Sequence, residues 1–184
     1  IGAGPAGLFS AYILAQKQNF KVAVIEKGKG STARNCPAKV GECVSCNPCD
    51  IMSGVGGAGL FSDGKLNFIS KLGKTDLTKY ISKQKADEII NETEEIFNKF
   101  KMDGTVFPTN MKKAKEIRSQ AIKAGIDLLL IKQKHLGSDM LPLYIDEMSS
   151  YRKTKNVDLL LKEEVKKFEV KNNKITKIIT DKNE

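Results

Sequence analysis

The chain has 184 residues and a mass of 20.3 kDa, enough for one domain and part of another. It is 40% hydrophobic and 29% charged, too apolar for a disordered chain, and no apolar run nears the roughly 20 residues of a membrane-spanning helix. The net charge of +9 rests on lysines interspersed with acids (only Arg34, Arg118 and Arg152 are arginine), which reads as solvated helix faces and argues against a nucleic-acid surface.

No basic segment followed by an apolar core precedes the fold, so no secretory signal is visible and the reading is cytoplasmic. The chain opens at Ile1, inside a motif, which predicts that the natural N-terminus lies upstream. Glycine and cysteine then divide the sequence. Eleven of the 15 glycines and all four cysteines fall within residues 1–64, and the remainder is rich in Lys, Glu, Ile and Leu. The first third therefore reads as loops that hold a ligand, and the rest as scaffold.

In chain order, Ile1 reads as a strand end and Pro5 to Gln18 as a helix. Lys21–Glu26 is a buried strand rich in β-branched residues, and a long loop region runs on to Lys74. Ala86, Ile89, Ile90, Thr93, Ile96, Phe97 and Phe100 recur at helical spacing and predict an amphipathic helix over Lys83–Phe100. Asp103-Gly104 and Pro108 end it. Ala114, Ile117, Ala121 and Ile122 predict a second helix stopped at Gly125, and Ile126–Ile131 a strand. Ser138 or Asp139 is placed to cap a helix through Tyr151, with Pro142 in its first turn. Val157–Leu161 reads as a buried strand. Val165–Val170 and Ile175–Thr180, joined by Lys171-Asn172-Asn173-Lys174, read as a β-hairpin.

The opening Gly2-Ala3-Gly4-Pro5-Ala6-Gly7 is a G-x-G-x-x-G, a weak pattern alone and a strong one before a helix and a strand ending in an acid. Gly2 allows the tight turn, Gly4 lets backbone approach a pyrophosphate, and Gly7 lets helix and strand pack closely. Pro5 and Ala6 open the helix whose free N–H groups would face the phosphates. Glu26 is placed to accept from a ribose diol and its charge would repel a 2′-phosphate, with Lys27 beside it. Spacing alone does not separate FAD from NAD.

G-A-G-P-A-G followed by V-A-V-I-E-K resembles the FAD-binding opening of the glutathione-reductase-like flavoproteins. The second cluster, G-G-A-G-L-F-S-D-G-K-L over residues 56–66, is similar to the signature of bacterial FAD-dependent dehydrogenases, or NAD(P)/FAD-dependent oxidoreductases. Lys134-His135-Leu136-Gly137-Ser138-Asp139 and the N-V-D-L-L-L-K-E-E-V run of residues 156–165 also resemble that family. The likeness implies an α/β, doubly wound (Rossmann-like) FAD-binding domain, incomplete here because the family's later strand and second flavin contact would follow Glu184. It implies residues 1–73 as the first FAD segment, 74–135 as an inserted, mainly helical cap or substrate region, and 136–184 as the return with its C-terminal hairpin.

By the same resemblance, FAD is the cofactor, NAD(P)H a candidate electron donor, and a small molecule the substrate; the charge pattern and the short apolar runs give no nucleic-acid or membrane partner. The alternatives are a non-catalytic dinucleotide-binding module with a cysteine-based redox or metal site, and an NAD-linked dehydrogenase that uses this fold without flavin. Gly56, Gly57, Ala58 and Gly59 would run along the pyrophosphate, with Ser62, Asp63 and Lys65 the polar groups nearest the flavin. Lys65 is either that cation or an exposed loop lysine, and Asp63-Gly64 either a polar contact or a turn. His135 either faces a substrate or bonds to backbone in a turn.

Cys36, Cys43, Cys46 and Cys49 form C-x6-C-x2-C-x2-C. The compact all-thiolate spacing suits three corners of an iron–sulfur cube with Cys36 as a fourth ligand. Zinc, four reduced thiols, and a redox disulfide are the other readings.

Overall fold

A computed structural model describes residues 1–17, 20–151 and 157–182. The chain divides into two compact units, Ile1–Ser62 with Ser138–Glu184, and Asp63–Gly137. Among the described residues no helix is long and apolar enough to cross a membrane.

The first unit is built on helix α1 (Pro5–Ala15) and strand β1 (Val22–Glu26). The helix starts where the sequence predicts, because Pro5 supplies a preset φ at a position that lacks an N–H partner anyway. Its expected end at Gln18 lies outside the described residues. Ile1 belongs to no strand, yet its neighbour Gly2 donates to the Ile25 carbonyl at 2.8 Å, tying the glycine turn to β1. The next elements of this unit are helix α4 (Leu141–Ser150) and strand β7 (Val157–Leu161). Strand β7 pairs with β1 in parallel, Val22 opposite Val157 through Glu26 opposite Leu161. The core of this unit gathers Leu8, Ala11, Tyr12, Val24, Met148 and Val157, all buried. Tyr12 and Tyr151 close one end with ring centroids 4.8 Å apart.

Helix α4 begins later than the capping residues suggest. Ser138 and Asp139 precede it, and Met140 occupies the N-cap with no side-chain hydrogen bond. The Ser138 hydroxyl turns to Asp139 Oδ1 at 3.4 Å, so neither side chain reaches the helix N–H groups. Pro142 does fall in the first turn. The unit ends in the hairpin of β8 (Val165–Lys171) and β9 (Lys174–Thr180), as its sequence predicts. Asn172 and Asn173 carry φ of 51° and 57° at the turn, the left-handed pair that asparagine tolerates and a two-residue hairpin requires.

The second unit carries an antiparallel sheet in the order β2 (Lys65–Phe68), β6 (Lys132–His135), β5 (Val106–Phe107), with a small pair β3 (Lys71–Leu72) and β4 (Thr75–Asp76). Helix α2 (Lys83–Lys99) starts on Ser82, whose hydroxyl accepts from Lys85 N at 3.2 Å, and helix α3 (Met111–Lys123) starts on Asn110. Two expectations fail here. The stretch to Lys74 is not all loop, since β2 and β3 lie in it. Ile126–Ile131 is not a strand; the strand begins one residue later and is the polar Lys-Gln-Lys-His. The register explains this, because β2 pairs Phe68 with Lys132 and ends there, leaving Ile126 and Leu129 exposed. Burial on this strand is reserved for Lys134, 2% exposed, whose ammonium meets Glu94 Oε1 at 3.3 Å. Lys132 pairs with the other oxygen of Glu94, and both lysines lie over the Phe68 ring.

Candidate dinucleotide site

Glu26, at the end of β1, is 6% exposed and accepts three backbone hydrogen bonds. Ala3 N donates to Oε2 at 2.7 Å, and Gly28 N and Gly54 N donate to Oε1 at 2.8 Å each. One side chain thus joins the glycine turn, the segment after β1 and the second glycine cluster. A carboxylate offers about four acceptor positions, so the third neighbour fills Oε1 and leaves Oε2 room for one more donor. Backbone bonds tighten the same junction. Gly56 N donates to Ala3 O at 2.8 Å, Val55 N to Lys29 O at 2.9 Å, and Glu163 N to Glu26 O at 3.0 Å.

The glycines of this junction separate into two kinds. A Cβ on Gly7 would lie 1.9 Å from the Gly2 carbonyl oxygen, and one on Gly28 2.4 Å from Gly54 N, so these positions are small because protein crowds them. A Cβ on Gly4 would meet only Gly57 Cα at 3.9 Å, and one on Gly2 nothing within 4 Å. Space remains over the turn. Gly2 also needs its φ of +83°, which a side chain would oppose.

Above the turn lies a groove of about 340 Å³, within the range of small-molecule sites. Gly2, Gly4, Glu26, Lys27 and Gly57 line it together with Met52, Ser53, Gly54 and the Glu163–Val165 segment. Helix α1 starts at this groove, and the first-turn N–H groups of Ala6 and Gly7 have no carbonyl within the helix to bond. Glu163 is buried and accepts from the Thr180 hydroxyl at 2.7 Å. A hydrogen bond from Lys166 and its charge hold the Glu164 carboxyl below the usual carboxylate range.

Other residues named from the sequence do not line the groove. Gly56 is buried with its Cβ direction toward Ile145 Cγ2 at 3.1 Å and Leu60 at 3.2 Å, a packing position. Ala58, Gly59 and Ser62 are exposed on or beside the 3₁₀ turn of residues 58–61. Asp63 and Lys65 belong to the other unit and form an exposed ion pair of 2.8 Å, with Lys65 N donating to Asp63 Oδ1 at 3.3 Å, a local turn. The His135 ring nitrogen Nε2 sits 3.0 Å from the Asp63 carbonyl, the backbone-bonded arrangement.

Arg34 is the organising residue that the motif reading passed over. It is 6% exposed and donates to four carbonyls: Nε to Asp50 at 2.8 Å, Nη1 to Val55 at 2.9 Å and Gly57 at 2.8 Å, and Nη2 to Ile51 at 2.7 Å. Its carbon Cζ stands 4.9 Å from the Phe61 ring centroid. Burial pulls its pKa down, opposed by the charges of Glu26, Asp50 and Cys49. Arginine is needed because a lysine offers no planar fork. Its signal in the sequence is its rarity: it is the one arginine in the glycine- and cysteine-rich third.

Arg34 also shapes the cysteine loop. Asp50, buried, accepts from Asn35 N at 3.1 Å and pairs with Lys29 at 2.7 Å, so the loop of residues 36–49 is closed at its neck. Cys36 is buried, Cys49 half-buried, and Cys43 and Cys46 exposed, all four with free thiols. Among the described residues no three of His, Cys, Asp and Glu gather closely enough to hold a metal ion.

Residues 1–35 match the NAD(P)-binding Rossmann-like domain family. The opening segment is Rossmann-like. Curated protein sequences give no match to the chain. Among solved structures, the L-amino acid deaminase from Proteus vulgaris superposes with a TM-score of 0.52 at 14% identity, over 99% of this chain and 43% of that protein. The chain therefore spans less than half the length of that relative, and the likeness is one of fold.

Proposed function

We propose that the protein is an FAD-dependent oxidoreductase acting on a small-molecule substrate, with the ADP half of the cofactor laid along the groove from Glu26 to Gly4. The observation that carries this reading is the open space at Gly4 beside the buried Glu26 carboxylate. A glycine that protein atoms do not crowd, at a helix start, favours close approach by a phosphate. Bound FAD would supply two-electron redox chemistry at its isoalloxazine.

The chain's own groups would do the holding. The Ala6 and Gly7 N–H groups and the positive end of α1 would receive the pyrophosphate charge. Glu26 Oε2, with one acceptor position left, would take a ribose hydroxyl. The Glu26 carboxylate at the strand end would repel a 2′-phosphate, which disfavours NADP in this groove. Lys65, spent on Asp63, has no assigned part at the dinucleotide.

The match of residues 1–35 to an NAD(P)-binding domain family favours a second reading, an enzyme that binds NAD here without flavin. The visible spectrum of the purified protein distinguishes the two, since bound flavin absorbs in the visible and NAD does not. Gly4→Ala is the sharpest variant. Its Cβ fits the protein but occupies the groove, so we expect an unchanged melting temperature and at least tenfold weaker flavin retention. A Gly4→Ala protein that keeps its flavin would remove the assignment. Bleaching by NADH or NADPH, followed by reoxidation with a substrate panel headed by L-amino acids, separates an enzyme from a passive binder.

A further inference from the structure

We infer that Cys46 and Cys49 form a second reactive site, a thiol–disulfide exchange centre for small zwitterionic disulfides of the glutathione type. Cys46 is exposed and Cys49 half-buried, the arrangement of an attacking thiol backed by a shielded, resolving one. The chain bends at Asn47 and Pro48, between the two. Of the two C-x-x-C pairs, Cys46–Cys49 is the one with a half-buried member and with a pocket at its exposed member.

Cys46 also borders a pocket of about 590 Å³ whose rim carries Lys27 and Lys162 as cations and Glu164 and Asp181 as anions. Mixed charge of this kind complements a ligand with both carboxylates and an ammonium group. The neck bonds of Arg34, Asn35 and Lys29 to Asp50 anchor the loop behind the pair. The Cys49 carbonyl accepts from Met52 N at 3.1 Å and Ser53 N at 2.8 Å, so the resolving cysteine is fixed to the segment that lines the dinucleotide groove.

The chemistry balances without a further reactant. The Cys46 thiolate attacks one sulfur of RS–SR; a Cys46–SR bond forms, the RS–SR bond breaks, and RS⁻ leaves and takes a proton. The Cys49 thiolate then attacks Cys46 Sγ, forming the Cys46–Cys49 bond and releasing the second RSH. The protein dithiol loses two electrons and two protons, and the small disulfide gains them. Excess thiol reverses the sequence.

The test treats the reduced protein with oxidised glutathione and follows intact mass, peptide mapping and free thiols. Wild type should lose two thiols and keep no adduct. Cys49→Ser and Cys49→Ala should each accumulate one glutathione on Cys46 per chain. Cys46→Ser should exchange at least tenfold more slowly, and Cys43→Ser at the wild-type rate. An adduct trapped on Cys43, or a Cys46→Ser protein exchanging within twofold of wild type, would overturn the proposal. Lys162→Glu should raise the half-saturating concentration of oxidised glutathione several-fold while leaving the reaction with uncharged dithiodipyridine unchanged; equal effects on both would remove the pocket from the site. Flavin content, read in the same samples, should not change, so this proposal and the cofactor reading fail separately.

Discussion

Gly7 stands so close to Gly2 that a Cβ on the helix residue would lie 1.9 Å from the Gly2 carbonyl oxygen. The obstacle is backbone, which cannot rotate aside as a side chain would. Gly7→Ala should therefore lower stability by about 1–3 kcal/mol, the usual cost of overpacking. Gly59→Ala, where a Cβ meets nothing within 4 Å, should stay within about 0.5 kcal/mol of wild type in the same urea titration.

Arg34→Lys should destabilise the first unit by at least about 3 kcal/mol, because more than one charged hydrogen bond to carbonyl is lost and the acceptors stay buried. Limited proteolysis should then cut within residues 36–57 before any other site. A variant as protease-resistant as wild type would show that the guanidinium does not hold the loop.

How far the sequence revealed this site depended on the range of the signal. The glycine turn, the helix after it and Glu26 are local: a few residues in fixed order, each with a steric or electrostatic reason. The β8–β9 hairpin was legible for the same reason, since Asn172-Asn173 specifies its turn without help from the rest of the chain. Arg34 was not legible, because its four acceptors lie 16 to 23 residues away and are backbone carbonyls, which have no sequence identity. The polar strand Lys132–His135 was hidden too. Its period is not apolar, and its burial rests on an ion pair with Glu94, 38 to 40 positions earlier.

That ion pair gives a prediction of its own. Glu94→Gln leaves the Lys134 ammonium buried without its counter-charge and should cost about 3–5 kcal/mol. Adding Lys134→Met to the same protein should recover most of the loss. If the double variant is no more stable than Glu94→Gln, the buried charge is not the source of the cost. Burial alone would raise the Glu94 pKa, but Lys132 and Lys134 outweigh it and hold the carboxyl below its usual range.

Acid should open the neck of the cysteine loop. The hydrogen bond from Lys29 is the largest influence on Asp50 and, with Asn35 N and Arg34, holds its carboxyl below the usual range against the opposing effect of burial. A depressed carboxylate contributes stability that is fully present above the unfolded value, near pH 4, and is lost as pH falls through the lower folded value. Thiol-reactivity of the buried Cys36 should therefore be flat from pH 7 down to about 4, after correction for thiolate content, and rise below it. Asp50→Asn should remove that acid step.

Gly64 and Gly137 carry φ of 74° and 80°, and a Cβ on Gly64 would come within 2.9 Å of the Gly137 backbone. Leu136 N donates to Gly64 O at 2.8 Å, so the second unit begins and ends at one hydrogen-bonded crossing. A segment whose two ends meet behaves as a cassette. Exchanging the segment between those glycines would leave the two ends where the first unit's segments join it at the same crossing, with the glycine turn, Glu26 and Arg34 untouched in sequence.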